Sequence, residues 1–195
     1  MLKITDRKNN MKLSFSVYLT VLLILGIPSF VWASNSLIED FKSQPDTRWR
    51  FISDTIMGGV STGEIGFLED NGDPYARMTG NVSTENNGGF IQFRMKLQKP
   101  LPEKSLGLRL VVRGNAQRYF VHLRTAGTFL PWQYYQSGFD VSKDWTEVLL
   151  PFKEFKASGA FLKSTPSPED LQSVGIVAFG RDHEAEIDVR EVSYF

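Results

Sequence analysis

Short segments in which apolar and polar residues alternate dominate the chain from about residue 76 onward. The stretch 91–97 is typical, with an apolar set at its odd positions: Ile91, Phe93, Met95 and Leu97. Such a period of two is the pattern of a β-strand with one buried face. The stretches 106–112 and 119–125 repeat it, and further strands are predicted at 76–82, 132–139, 145–150, 174–179 and 185–194.

Turn-forming residues separate these segments and helix signals are scarce. Clusters rich in Asn, Gly and Pro occur at 71–74, 86–89 and 113–116, and only 168–173, with Pro168 at its start, predicts a helical turn. The alternation slips once in 185–194, which predicts a β-bulge. Regularly spaced short strands indicate an all-β sandwich. Its core is predicted to hold large aromatic side chains: Trp49, Trp145, Phe152 and Phe155.

The first 33 residues differ from the rest. Basic residues precede an uncharged stretch from 13 to 33, which is broken by Gly26 and Pro28 and ends in Val-Trp-Ala. This pattern predicts a signal peptide over residues 1–33, cleaved after Ala33, followed by one domain at 38–195. The protein is then exported, to the periplasm or beyond, and keeps no stable membrane anchor after cleavage. An uncleaved anchor is the alternative, because about 20 apolar residues span a bilayer.

Charge and cysteine content exclude several classes of ligand. Residues 1–33 hold four of the 22 basic and one of the 22 acidic residues, which leaves 18 basic against 21 acidic residues and a formal charge of −3. A domain with no basic excess is not expected to bind nucleic acid. The chain has no cysteine, which excludes disulfides, thiolate metal sites and cysteine nucleophiles.

No arrangement of residues points to catalysis, so we predict that the protein is not an enzyme and needs no metal or cofactor. The two histidines, His122 and His183, lack a second ligand at metal-binding spacing. The acids at 182, 184, 186 and 188 alternate like a solvated strand face. Gly58 and Gly59 lack the rest of a phosphate-binding motif and are predicted to allow a tight backbone path.

The arginines suggest where a ligand binds. On the predicted registers several basic side chains face away from the core: Arg94, Arg109, Arg113, His122 and Arg124. If their strands share a sheet, that outer face is either a binding groove, extended by Gln133 and Tyr135, or a solvated face balanced by acids. Arg94 and Arg124 are expected on neighbouring strands, with Asp54 as a candidate counter-charge.

Four sequence stretches together resemble a known family. They are WRFISD at 49–54, MGGVS at 57–61, GNVSTENNGGF at 80–90, followed by Arg94, and WTEVLLPF at 145–152, with Phe155 beyond it. The combination resembles the complex I intermediate-associated protein 30 domain over residues 38–195. The resemblance implies a galactose-binding-like jelly roll and a non-enzymatic role in assembling protein complexes or binding unfolded proteins. The predicted signal peptide departs from the mitochondrial transit peptide of the family's namesake.

Two functions remain open. The resemblance favours a protein-binding assembly module, whereas export, the fold and the cluster Trp-Gln-Tyr-Tyr at 132–135 favour a carbohydrate-binding module. The candidate binding residues are Asp54, Gly58, Gly59, Asn87, Arg94, Arg113, His122, Arg124, Trp132 and Tyr135.

Overall fold

The computed structural model describes residues 36–195, which form twelve strands and a few short helical turns. The strands are β1 (Leu37–Glu39), β2 (Trp49–Ser53), β3 (Thr62–Asp70), β4 (Asp73–Val82), β5 (Phe90–Lys96), β6 (Gly107–Gly114), β7 (Arg118–Thr125), β8 (Tyr135–Asp140), β9 (Thr146–Pro151), β10 (Lys156–Ala157), β11 (Leu171–Phe179) and β12 (His183–Tyr194). One short helix, α1 (Pro45–Arg48), and four 3₁₀ turns (Asp54–Met57, Glu85–Asn87, Phe152–Glu154 and Pro168–Asp170) connect them. The predicted signal peptide lies outside the described residues, so its cleavage stays a prediction.

The strands form two antiparallel sheets. The first sheet has the order β3-β4-β12-β6-β9, with β1 added alongside β12, and the second has the order β10-β8-β7-β11-β5-β2. Neighbours in each sheet are mostly distant in sequence, so the chain crosses between the sheets repeatedly. The prediction of an all-β sandwich is confirmed, and the predicted bulge appears as a register shift in β12 between Val189 and Glu191.

The hydrophobic core lies between the inner faces of the two sheets. Alternating side chains of the second sheet, such as Phe93 and Val121, and of the first, such as Leu110 and Ile187, are fully buried. Three of the predicted core aromatics are confirmed: Trp49, Phe152 and Phe155. The Trp49 ring packs against Phe93 with ring centroids 5.0 Å apart.

Trp145 was wrongly predicted to lie in this core. It is half-buried just before β9, where its ring lies beneath the guanidinium groups of Arg113 and Arg190, at 4.4 and 4.8 Å from the ring centroid. The Tyr75 and Trp145 rings pack in a T-shaped pair, at 75° to each other and with ring centroids 5.7 Å apart. Cation–π contacts therefore hold this tryptophan on the outside of the first sheet.

Candidate functional site

The predicted arginine face is split between the two sheets. Arg94 lies on β5 and His122 and Arg124 lie on β7, all in the second sheet, whereas Arg109 and Arg113 lie on β6 in the first. Alternation correctly predicts that each side chain points away from the core. It does not determine which sheet a strand joins, and the assumption that these strands share one sheet was wrong.

Arg113 takes part in an ion-pair cluster on the first sheet. Its Nε donates to Asp188 Oδ2 at 2.8 Å and its Nη1 to Asp70 at 3.0 Å, while Arg77 binds both oxygens of Asp188 at 2.6 and 2.8 Å. Hydrogen bonding to Asp188 raises the pKa of Arg113 and of Arg77. Asp188 is 2% exposed, so it is not part of a solvated acidic face, although Asp182, Glu184 and Glu186 are exposed.

Arg109 is likewise neutralised within the first sheet. Its Nε donates to Glu147 at 2.5 Å and its Nη1 to Glu191. The side chain hydrogen bond to Glu147 raises its pKa above the ordinary value. Arg109 and Arg113 are therefore paired with acids of the same sheet, and the prediction of Arg113 as a binding residue is not supported by its position.

Among residues 36–195, Asp54 forms no ion pair with an arginine, and it is buried directly after β2. Its carboxylate accepts hydrogen bonds from Ser61 N at 3.0 Å, Ser61 Oγ at 2.5 Å, Gly89 N at 2.6 Å and Phe90 N at 3.2 Å. Burial raises the pKa of Asp54, but the hydrogen bonds from Gly89, Ser61 and Phe90 outweigh it and leave the pKa below its ordinary value. This Asp54 cluster joins the loops 54–61 and 83–90.

Glycines near Asp54 allow the backbone to pack closely around its carboxylate. Gly58 has a φ of +92°, which favours glycine, and ends the 3₁₀ turn Asp54–Met57. A Cβ on Gly59 would lie 2.4 Å from the Asp54 carboxyl group, as would one on Gly88, which the sequence analysis did not single out. Asn87 lies in the loop 83–90, where it is exposed and has a φ of +58°. These residues pack the backbone around a buried carboxylate.

The remaining candidates lie on the outer face of the second sheet. Arg94 pairs with Arg50 of β2 on one side and with Gly175 of β11 on the other, and Gly175 in turn pairs with His122. The prediction that Arg94 and Arg124 lie on neighbouring strands was wrong, because β11 separates β5 from β7. Gly175 leaves the floor between Arg94 and His122 without a side chain.

His122 and an adjacent tyrosine form a flat stack on this face. The rings of His122 and Tyr134 lie 4.0 Å apart and 10° from parallel, and His122 Nε2 is 2.8 Å from Gln136 Oε1. Burial lowers the pKa of His122 to about 4 despite the hydrogen bond with Gln136, so the ring is neutral at pH 7. Tyr135, which was predicted on this face, points into the core instead.

Arg124 holds the loop between β7 and β8. Its guanidinium donates to the backbone oxygens of Thr128 and Leu130, both at 2.9 Å, and of Pro131 at 3.2 Å. The loop between β7 and β8 thus presents exposed apolar side chains. A second loop, which carries Phe161, is joined to it because Ser158 Oγ donates to Trp132 O at 3.0 Å. We call these side chains the apolar rim: Phe129 (84% exposed), Leu130, Trp132 (66% exposed) and Phe161.

Two cavities flank Arg94 on the same face. One of about 590 Å³ is lined by Arg94, Lys96, Lys99 and Arg124 among others, and one of about 350 Å³ by Arg50, Arg94 and Lys96 among others. We call this surface the basic groove, defined by its six cations: Arg48, Arg50, Arg94, Lys96, Lys99 and Arg124. Of the described residues that line the two cavities, none is acidic. Burial, and then repulsion from Arg124, lowers the pKa of Arg94.

The described part of the chain shows neither a metal-binding cluster nor a membrane-spanning helix. Between residues 36 and 195, no group of three or more His, Cys, Asp or Glu side chains is placed to hold a metal ion. No helix in the same stretch has the length and apolar character needed to cross a membrane.

Solved structures with the same fold include carbohydrate-binding modules. The family 11 module from Clostridium thermocellum, in complex with a β-1,3-1,4-mixed-linked tetrasaccharide, has a TM-score of 0.67 at 10% identity and covers 82% of this chain and 94% of its own. The family 30 module of a cellulosomal cellulase from the same organism has a TM-score of 0.55 at 10% identity and covers 75% of this chain and 90% of its own. At this identity the likeness shows the galactose-binding-like fold alone.

Comparison of sequences identifies the family. No curated protein matches this sequence. Residues 39–189, nearly the whole described domain, match the family described as Complex I intermediate-associated protein 30 (CIA30). The chain therefore belongs to the CIA30 family.

Proposed function

We propose that this protein is an exported, non-catalytic binding module that holds a protein partner against the apolar rim. The observation that carries the proposal is the loop fixed by Arg124, which presents Phe129, Leu130 and Trp132 to solvent. The family's name, which describes association with an intermediate of a protein complex, supports a protein as the partner.

The exposure of the rim suits a preformed interface. Large apolar side chains clustered on a surface mark contact sites more often than single exposed ones do, and aromatic anchors contribute most of the binding energy in many interfaces. The hydrogen bonds from Arg124 to Thr128, Leu130 and Pro131 fix the loop before binding, which reduces the entropy lost on association.

Site-specific cross-linking tests the rim. With a photo-reactive amino acid at Phe129, we expect the exported protein to form one dominant cross-link to another protein. The same amino acid at Leu68, an exposed position on β3 of the first sheet, serves as the control and is expected to give none. Arg124→Gln, which removes three backbone contacts of the loop, should reduce the cross-link several-fold. Equal labelling from Phe129 and Leu68 would argue against the proposal.

A carbohydrate ligand is the second candidate. The exposed Trp132 ring and the flat stack of His122 on Tyr134 favour it, since sugars bind on aromatic faces. If the protein binds a neutral β-glucan and Trp132→Ala abolishes that binding, while no cross-link forms at Phe129, the carbohydrate function replaces the protein-binding one.

Export is the part of the proposal that rests on residues 1–33. The basic residues, the uncharged stretch and the Val-Trp-Ala end support cleavage after Ala33. We expect the intact mass of protein recovered from the periplasm to match a chain that begins at Ser34. Full-length chain in the membrane fraction would instead mean that the segment is kept as an anchor.

A further inference from the structure

We propose that the basic groove binds carboxylate side chains of an acidic protein segment, with Arg94 as the main recognition residue. This inference rests on the proposed function, because it takes the groove and the apolar rim as parts of one protein-binding surface. Arg124 connects them, since it lines the larger cavity and also holds the loop that carries the rim.

Three arginines of the groove lack the ion pair that most other arginines of the described residues form. Five outward-facing arginines form ion pairs with an aspartate or glutamate: Arg77, Arg109, Arg113, Arg118 and Arg190. Within the groove, Arg48 pairs with Glu39 at 2.8 Å, whereas among residues 36–195 no ion pair holds Arg50, Arg94 or Arg124. The predicted mature domain has more acids than bases, so its overall composition does not explain why no acidic side chain among the described residues lines the groove.

Arg94 is the member of the groove that most needs a counter-charge. Its side chain is half-buried, and within the described residues no hydrogen bond is formed by its guanidinium. Burial and the nearby charge of Arg124 both disfavour its charged form. A carboxylate from a ligand would offset both effects, and the guanidinium can bind its two oxygens with parallel hydrogen bonds.

The surroundings of Arg94 favour a protein segment over an acidic polysaccharide. Gly175 places no side chain between Arg94 and His122, and a Cβ there would lie 3.0 Å from Gln92 Oε1. The adjoining rim offers Phe129, Leu130 and Phe161, which suit apolar side chains better than sugar hydroxyls. A protein segment with both kinds of side chain can place its carboxylates on the basic groove and its apolar side chains on the apolar rim.

Calorimetry with the whole protein and defined probes tests this inference. The probes are a short peptide that carries glutamate and phenylalanine side chains, its counterpart with glutamine in place of glutamate, and polygalacturonate. We expect the glutamate peptide to bind at least tenfold more tightly than the glutamine peptide, and more weakly as salt is added. Arg94→Gln should weaken its binding about 10- to 100-fold, the effect of losing a hydrogen bond to a charged group, and Arg94→Lys should weaken it less.

Arg118→Gln is the matched control. Arg118 lies on β7 of the same sheet, is exposed and is paired with Asp140, so its loss should leave peptide binding unchanged. Arg94→Gln should keep or raise the unfolding midpoint, because it removes a half-buried charge that has no partner. Equal affinity for both peptides would overturn the inference while leaving cross-linking at Phe129, and with it the proposed function, in place. Tighter binding of polygalacturonate than of the glutamate peptide would also overturn it, in favour of an acidic glycan.

Discussion

Replacement of Asp54 by alanine should lower the free energy of unfolding by about 3–5 kcal/mol, since each buried donor left without its charged acceptor costs about 1–3 kcal/mol and such losses are not fully additive. The donors are the backbone N–H groups of Ser61, Gly89 and Phe90 and the Ser61 hydroxyl. Asp54→Asn should cost somewhat less, because its amide keeps one accepting oxygen but turns an NH₂ group toward the other donors. Urea unfolding followed by tryptophan fluorescence measures both changes.

The same carboxylate should make stability depend on pH. Its pKa is lower in the folded state than in the unfolded chain, so its contribution is fully present above the unfolded value of about 4 and is lost as the pH falls through the folded value. The stability difference between the native protein and Asp54→Asn should therefore shrink below about pH 4. Asp144→Ala, which removes an exposed acid, is the control and should have a much smaller effect. If Asp54→Ala lowers the free energy of unfolding no more than Asp144→Ala does, the packing of the loops 54–61 and 83–90 does not depend on the Asp54 carboxylate.

Asp188→Ala should lower the free energy of unfolding by about 2–4 kcal/mol. Removing one member of a buried ion pair commonly costs about 3–5 kcal/mol. A smaller loss of stability is expected here because Arg77 and Arg113 are partly exposed and regain some hydration. Glu184→Ala is the matched control, because Glu184 is an exposed acid of the same strand, β12.

A second substitution separates charge from packing in this cluster. Arg113 keeps Asp70 as a partner when Asp188 is absent, whereas Arg77 loses both of its ion-pair contacts. Adding Arg77→Met to Asp188→Ala should therefore restore part of the lost stability. If the double variant is no more stable than Asp188→Ala alone, the loss comes from the cavity left by the side chain and not from the unpaired arginine.

Local alternation was sufficient to predict the strands that have one fully buried face. The segment 91–97 became β5 and 119–125 became β7, each within a residue or two, because apolar side chains at every second position must face the core. Strand β3 (Thr62–Asp70) was missed, since none of its residues is buried and its alternating apolar set is short, with only Ile65 and Phe67 packed against the core. The two-residue strand β10 is too short to show any pattern.

The candidate site depends on information that local patterns lack. Whether Arg94 and Arg109 share a sheet is decided by pairings between distant segments, such as β5 with β11 and β6 with β12. The loop 126–134 fixes the register of β8, so Tyr134 faces outward and Tyr135 inward, one residue from the prediction. The buried state of Asp54 likewise arises only when the loops 54–61 and 83–90 meet, although the glycines at 58, 59, 88 and 89 were a sign of close backbone packing.

The position of β12 constrains when the domain can fold. This strand lies inside the first sheet, between β4 and β6, although about 100 residues separate it in sequence from its β4 partners, for example Ile187 from Met78. A nascent chain that ends before residue 183 therefore lacks the strand that joins β4 to β6. Because pairings over such distances form slowly, we expect the first sheet to stay incomplete until the end of the domain has been synthesised. Such a delay would suit the export proposed above, because a chain that has not yet folded can still be threaded across a membrane.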